Sequence, residues 1–300
     1  MLDPTGTKKL RDSFKCDLQK RWVALFKLTN EAIITHDILG LKGPTVHSII
    51  AAWGRDRVKE FQQWIDEAMR QIVFGNDGRW MNVYLERADH QAIARVQKLL
   101  DRVVYDTIHS QVSTLISATH VELQGIMEAV SQQAVRQVSN GLLAKWRPAK
   151  IARSITSIIK SIGQSRSMGL ADFSIVKVFN ESTLDVLEVA GVRNVGVVPE
   201  LLLTPALNKN GARVYSKTDL NDAKRKSRAV FQEVDVLTAG DQKVCKICLK
   251  ISENGPYTIA EARGLIPNHI NCRCSFVVAG DLPLFQIKVT SKTNQPQIAA

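Results

Sequence analysis

The 300-residue sequence contains no apolar run as long as the ~18–20 residues that a membrane-spanning helix needs. Its first residues, Met1–Lys9, lack the apolar segment of a secretory signal peptide. Aromatic residues are few, at 6%, but the apolar fraction of 45% is ordinary for a chain that buries a core. We therefore expect a soluble protein that stays in the cell that makes it, unless a larger assembly carries it out.

Several signatures of catalysis are missing as well. The sequence has no Gly-x4-Gly-Lys-Ser/Thr loop, which excludes a P-loop ATPase, and no Gly-x-Ser-x-Gly elbow. The nearest approach to a His-Glu-x-x-His zinc motif is His120-Val-Glu122, which lacks the second histidine. We expect a protein without catalytic residues, in which the scattered histidines are surface or capped polar residues: His36, His47, His90, His109 and His120.

Apolar residues at steps of three and four predict a mainly helical region over residues 1–190. One stripe runs from Arg57 to Phe74 and ends at the turn signal Gly75–Gly78. The Ser139–Gly141 stretch is predicted to end the helix that starts near Thr107. The other helices are predicted over residues 8–36, about 81–104, 151–162 and about 171–188.

The residue pattern changes near Ala190. Val234–Thr238, Ser275–Val278 and Gln286–Thr290 are typical of strands, and Thr258–Ala262 is typical of a short helix. The sequence therefore predicts a small α+β domain over residues 191–292, followed by a polar tail over 293–300.

Four of the five cysteines lie in this second region. They occur as Cys245-Lys-Ile-Cys248 and, twenty residues later, as His269-Ile-Asn-Cys272-Arg-Cys274. Zinc takes four tetrahedral ligands from thiolate sulfur and imidazole nitrogen, and this spacing is typical of such sites. In a reducing compartment, clustered cysteines are more often metal ligands than disulfides. The candidate ligands are Cys245, Cys248, His269, Cys272 and Cys274.

Five candidates compete for four positions. Cys245 and Cys248 are the safest pair of ligands to assign. The other two ligands come from residues 269–274. If that segment is extended at its end, Cys272 and Cys274 lie on the same face, whereas a tight turn would bring His269 and Cys272 together. A site with four protein ligands has no open position for water, so it would hold structural zinc. Buried thiols without metal, or a disulfide, are the alternatives. We expect the remaining Cys16 to be a small buried apolar residue within a helix.

The residues around the cysteines form a longer pattern. Thr238-Ala-Gly-Asp241 precedes Val244 and the first cysteine pair, Asn254–Tyr257 follows, then Ala260–Ala262, and Pro267–Cys274 closes the stretch. This pattern resembles the phage head morphogenesis family, the minor head proteins similar to the F protein of phage Mu. One departure is Ile270, where proline usually follows the histidine.

The resemblance implies a minor structural protein of a tailed-phage head, located in the capsid interior of the virion and, during assembly, in the host cytoplasm. It implies a role at the portal or inner capsid in head assembly and DNA packaging or delivery, with the portal protein and/or the major capsid protein as partners and no membrane. The family has a long helical N-terminal part, but its usual Ala-Arg-Thr-Glu stretch is replaced here by Val178–Thr183, without the arginine. Residues 199–232 have the character of an insertion.

Positive charge is concentrated in two places in a chain of net charge +11. Residues 129–171 contain seven basic and no acidic residues, and a second cluster surrounds residues 224–228. Such concentration favours non-specific contact with double-stranded DNA, although an acidic protein surface or a solvated face would also explain it. The candidate contact residues are Lys145, Arg147, Lys150, Arg153, Lys160, Arg166, Lys224, Arg225 and Lys226.

Two other function classes fit parts of the pattern. One is a zinc-containing nucleic-acid-binding protein that is not part of a virion. The other is a metal-dependent nuclease centred on His269, which would need a second histidine and acidic metal ligands nearby. Only Asp241, Glu253 and Glu261 are available for the acidic ligands, so the nuclease is the weaker hypothesis.

Overall fold

The structure is a computed structural model. It describes residues 5–36, 38–39, 50–100, 110–190, 194–195, 206–207, 213–214, 233–237, 246–270 and 272–279. Contacts between Cα atoms divide the chain into two units. The larger comprises Thr5–Val186 and Ile266–Arg273, and the smaller comprises Met1–Pro4, Leu187–Leu265 and Cys274–Ala300. The predicted bounds 1–190, 191–292 and 293–300 stay predictions, and the polar tail lies outside the described residues.

The N-terminal region is mainly helical, as the apolar spacing predicts. Two π-helical segments, Arg70–Phe74 and Ile159–Gln164, directly continue α2 and α5. The helices are α1 (Lys8–Ile34), α2 (Ile50–Met69), α3 (Arg79–Leu100), α4 (Ser110–Leu143), α5 (Pro148–Ile158) and α6 (Ser165–Val189).

The apolar stripe predicted for α2 forms the buried face of this helix. Phe61 and Ile65 are fully buried, and Ala68 and Met69 nearly so, because steps of three and four return to one side of a helix. The helical segment ends where the turn signal predicts, with Gly75 in the left-handed conformation at φ 72°.

The predicted end of α4 is wrong. The helix continues through Ser139–Gly141 to Leu143. A Cβ at Gly141 would lie 2.6 Å from Cγ1 of Ile151 on α5, so the missing side chain lets the two helices approach closely. Tertiary packing has overridden a local stop signal here, and the glycine serves the helix contact rather than a turn.

The two helices predicted over 151–162 and 171–188 form one continuous helical run. It extends from Pro148 through the π-helical segment to Val189. Trp22 of α1 packs on Gly163 of this segment, and its Nε1 donates a hydrogen bond to Oγ of Ser167 at 2.7 Å. Trp22 is only 1% exposed, so this contact lies in the core of the larger unit.

The prediction that Cys16 is buried is wrong. Its side chain is exposed on α1. The core face of that helix carries Phe14, Leu18 and Trp22, and a residue two positions from Phe14 lies about 200° around the helix axis. Cys16 therefore faces away from the core.

A buried carboxylate joins α6 to α1. Asp172 accepts Lys15 Nζ at 3.1 Å, and Arg11 Nη1 lies 3.6 Å from its other oxygen. The side chains of Asp172 and Arg11 are only 6% and 7% exposed, whereas Asp12, which pairs with Lys8 and Lys15 along α1, is 48% exposed.

We expect Asp172→Asn to lower the free energy of unfolding by about 1–3 kcal/mol, because a buried cation loses its counter-charge. Urea unfolding followed by circular dichroism measures the change. Asp12→Asn is the matched control and should cost less than about 1 kcal/mol, since exposed ion pairs contribute little. Equal losses in the two variants would contradict the structure of this cluster.

The smaller unit contains short paired strands. The longest pair joins β4 (Glu233–Leu237) and β6 (Ser275–Ala279), antiparallel, with Leu237 opposite Ser275. Two of the predicted strands are therefore present, and the predicted strand Gln286–Thr290 lies outside the described residues. The two-residue pairs are β1 (Asn194–Val195) with β5 (Tyr257–Thr258), and β2 (Ala206–Leu207) with β3 (Arg213–Val214). Two short helices complete the described part, α7 (Lys246–Glu253) and α8 (Ile259–Ala262).

Candidate metal centre

Helix α7 carries the first candidate ligand that the structure describes. Cys248 lies in its first turn and is fully buried. The hydroxyl of Tyr257 donates a hydrogen bond to the backbone oxygen of Ile251 at 2.7 Å, which ties the last turn of α7 to β5. Burial raises the pKa of Tyr257, and the nearby Glu261 carboxylate raises it further, so the hydroxyl stays protonated and able to donate.

The following helix, α8, starts with a capping box. Oγ1 of Thr258 accepts the backbone N–H of Glu261 at 3.2 Å, and the Glu261 carboxylate accepts the backbone N–H of Thr258 at 2.9 Å. This hydrogen bond from the Thr258 backbone, with a second from its hydroxyl, lowers the pKa of Glu261. The Thr-x-x-Glu pattern was present in the sequence, but sequence reasoning identified only the short helix and missed its cap.

A tight turn carries the next two candidate ligands. The backbone N–H of Cys272 donates to the backbone oxygen of His269 at 3.0 Å, which closes the turn. Nδ1 of His269 lies 2.8 Å from the backbone oxygen of Ile270. If Nδ1 carries the proton in this hydrogen bond, Nε2 presents its lone pair to a metal, an arrangement common for histidine ligands.

Three candidate ligands come together. The ligand atoms of Cys248, His269 and Cys272 all lie within 4.8 Å of one another. In a tetrahedral zinc site with Zn–S bonds of about 2.3 Å, neighbouring sulfurs are about 3.8 Å apart, so this spacing is compatible with a shared ion. Cys248, His269 and Cys272 therefore lie close enough to hold a metal ion. Of the two conformations considered for residues 269–274, the structure has the tight turn.

The other two candidate cysteines differ in position. Cys274 is buried, at 3% exposure, directly before β6, and does not belong to this group of three. Cys245 lies outside the described residues. Neither Glu253 nor Glu261 belongs to the group, and Asp241 also lies outside the described part.

Ile270, the departure from the family pattern, packs against a helix. A Cβ at Gly169 of α6 would lie 3.1 Å from Cγ2 of Ile270, so the glycine leaves room for that side chain. Ile270 is nevertheless 59% exposed. Sequence reasoning missed this contact, because Gly169 lies between the two helices predicted over 151–162 and about 171–188.

The structure also places the basic candidate residues of the first cluster. All six lie on the surface of the larger unit, and the second cluster, Lys224, Arg225 and Lys226, lies outside the described residues. Two lysines of the first cluster lie over aromatic rings. Lys150 Nζ is 4.1 Å from the ring centroid of Trp146, and Lys160 Nζ is 5.3 Å from that of Phe26. The six exposed residues are Lys145, Arg147, Lys150, Arg153, Lys160 and Arg166.

No protein-family model, curated protein or solved structure matches the chain. In the part of the chain that the structure describes, every helix is too short or too polar to cross a membrane.

Proposed function

We propose that this chain is a minor head protein of a tailed bacteriophage, associated with the portal or the inner capsid. Its role would be in head assembly and in DNA packaging or delivery. The observation that carries the proposal is the pattern from Thr238 to Cys274, which resembles the closing motif of the phage head morphogenesis family. The convergence of Cys248, His269 and Cys272 supports it, because these are ligand-type residues of that pattern.

The metal in this proposal is structural zinc held by Cys245, Cys248, His269 and Cys272. Three of these already lie within 4.8 Å of one another, and Cys245 precedes Cys248 by three residues, the spacing of paired zinc ligands. Cys274 is the spare. Four protein ligands leave no open position for water, so the ion would stabilise an α+β domain and not catalyse a reaction.

The proposed function needs no catalytic residue. A nuclease centred on His269 would require carboxylate ligands beside the histidine, and the described carboxylates Glu253 and Glu261 lie outside the group of three. Glu261 is also engaged with Thr258 in the cap of α8. These observations favour an assembly role over hydrolysis.

Counting the chain in purified phage particles tests the proposal. Quantitative mass spectrometry with isotope-labelled peptides should find a few copies per particle relative to the portal protein. Empty heads made without DNA packaging are the matched sample, since a portal-bound protein should be present in both. Absence from both kinds of particle would contradict the proposal.

A second candidate function is a zinc-containing nucleic-acid-binding protein outside any virion. The run of exposed cations without acidic neighbours in residues 129–171 is the observation that favours it. The same particle count separates the two candidates. A cellular protein would be missing from particles and would be recovered with host nucleic acid.

A further inference from the structure

Four basic residues of 129–171 lie along the larger unit's helical run. The buried residues of that run recur every four positions, at Ile151, Ile155, Ile159 and Gly163. Lys150, Arg153, Lys160 and Arg166 fall between them and are exposed. From Pro148 to Arg166 a helix extends about 28 Å, at about 1.5 Å per residue. The cations are therefore spread along a rod and do not gather at one point.

Helix α4 adds a cation beside this rod. Oγ of Ser154 on α5 donates to Oε1 of Gln137 on α4 at 3.0 Å. The hydrogen bond brings the neighbouring positions Arg136 and Arg153 to the same level of the two packed helices, and both side chains are exposed. We call the seven cations the basic face: Arg136, Lys145, Arg147, Lys150, Arg153, Lys160 and Arg166.

The charge of the basic face comes from a stretch without aspartate or glutamate, residues 129–171. Some other cations of this unit pair with a carboxylate three or four residues away on their own helix, as in Lys8–Asp12, Lys20–Asp17 and Arg57–Glu60. No cation of the basic face forms an ion pair with any carboxylate that the structure describes. Their positive charge is therefore not neutralised within the described fold and is available to an anionic partner.

Between Lys150 and Arg166 the residues beside the cations favour nucleic acid over protein, whereas Leu143, before Lys145, is an apolar residue that is 77% exposed. Ser157, Ser161 and Ser165 are exposed on the helical run. The hydroxyls of Ser161 and Ser165 donate to the backbone oxygens of Ile158 and Lys160, whereas the Ser157 hydroxyl is placed to donate to a phosphate oxygen. A protein interface would instead be expected to centre on buried aromatic or apolar anchors. Trp146 is half-buried and lies under Lys150, so it does not stand out as such an anchor.

We propose that the basic face binds the phosphate backbone of double-stranded DNA without regard to sequence. Duplex DNA carries a negative charge roughly every 1.7 Å along its axis. Such a line of charges fits cations that are spread along a helix, whereas a single phosphate would need cations gathered at one point. The inference deepens the proposed function and rests on it only for the source of the DNA, the packaged genome.

The test is binding of a fluorescently labelled, random-sequence DNA duplex to the full chain, followed by anisotropy over a range of salt concentrations. If six phosphates are contacted, the affinity should fall on the order of 10³-fold between about 50 and 200 mM salt. A fourfold variant with Lys150→Gln, Arg153→Gln, Lys160→Gln and Arg166→Gln should bind on the order of 100-fold more weakly at low salt. Its slope against log salt should be lower by about 3.6, at about 0.9 per lost contact.

The matched control removes the same charge from other exposed sites of the same unit, with Lys9→Gln, Lys59→Gln, Arg87→Gln and Lys98→Gln. It should retain nearly the wild-type slope. Equal weakening in both fourfold variants, or binding that ignores salt, would overturn the proposal. So would a basic face that binds an acidic portal surface and not DNA.

Circular dichroism confirms that both variants are folded. If the first is not, the pair Arg153→Gln and Lys160→Gln replaces it, with an expected slope change of about 1.8. The particle count under the proposed function does not depend on DNA affinity, so the two proposals can fail separately.

Discussion

Cys272→Ala is expected to abolish zinc binding and to unfold the segment that contains α7 and β6. The thiol of Cys272 lies within 4.8 Å of the ligand atoms of Cys248 and His269, and a structural zinc site does not tolerate the loss of one of its four ligands. Such sites contribute about 10–16 kcal/mol of apparent binding energy, against about 5–15 kcal/mol of net stability for a whole domain. The effect should therefore exceed that of any single packing change in the chain.

The control for this variant is two residues away. Cys274 is buried as Cys272 is, but it does not belong to the group of three. Cys274→Ala should therefore keep one zinc per chain, as should Cys16→Ala at the exposed cysteine of α1. Inductively coupled plasma mass spectrometry of the purified proteins gives the zinc content. Loss of zinc from Cys274→Ala with zinc retained in Cys272→Ala would reverse the ligand assignment.

Removing the metal from the wild-type chain tests the same point without a mutation. A strong chelator should expose the backbone amides of residues 246–279 to hydrogen exchange. Helices α1 to α6 should keep their helical circular dichroism, because their core consists of apolar contacts. If the backbone amides of residues 246–279 stay fully protected from hydrogen exchange in the metal-free protein, the structural-zinc hypothesis is contradicted.

Sequence reasoning succeeded where a local pattern and burial agree. The apolar stripe of α2 predicts its buried face, because helix periodicity and core packing impose the same spacing. It failed where a distant contact decides the outcome. Gly141 has the appearance of a stop signal in α4, but its function is to let Ile151 approach, and no spacing within α4 contains that information.

The candidate metal centre shows the same limit. Residue types and spacing identified the candidate ligands, since thiolates and imidazoles in close pairs have few other uses in a reducing compartment. The choice between Cys274 and His269 depended on whether residues 269–274 are extended or turned. The hydrogen bond between the backbones of Cys272 and His269 turns the chain, and Ile270 contacts Gly169, so that His269 lies beside Cys248 and Cys272. Both contacts depend on the folded chain, so the sequence left two alternatives.

The second large effect is expected in the larger unit, from Trp22→Ala. The indole is 1% exposed, packs on the backbone of Gly163, and donates from Nε1 to Ser167 at 2.7 Å. Deleting it removes the largest fully buried side chain of the described core and leaves a cavity. The expected loss is about 3–5 kcal/mol in the free energy of unfolding, a large part of a typical domain's stability. Urea unfolding followed by circular dichroism is the measurement.

Trp64→Ala is the matched control, because Trp64 is half-buried and lies beside Phe61 with ring centroids 5.9 Å apart. It should lower the free energy of unfolding by less than half as much as Trp22→Ala.

Gly163→Val tests the contact between Trp22 and Gly163 from the side of the glycine. Its Cβ would lie 2.6 Å from Cζ3 of Trp22, and overpacking of this kind costs about 1–3 kcal/mol.

The two substitutions at this contact should be strongly non-additive. In Trp22→Ala/Gly163→Val the valine enters the space that the indole leaves, so the double variant should be more stable than the sum of the single losses predicts. A double-mutant cycle that closes within about 0.5 kcal/mol would mean that Trp22 and Gly163 are not in contact. The packing of α1 on the π-helical segment Ile159–Gln164 would then be wrong, whatever the cost of each single change.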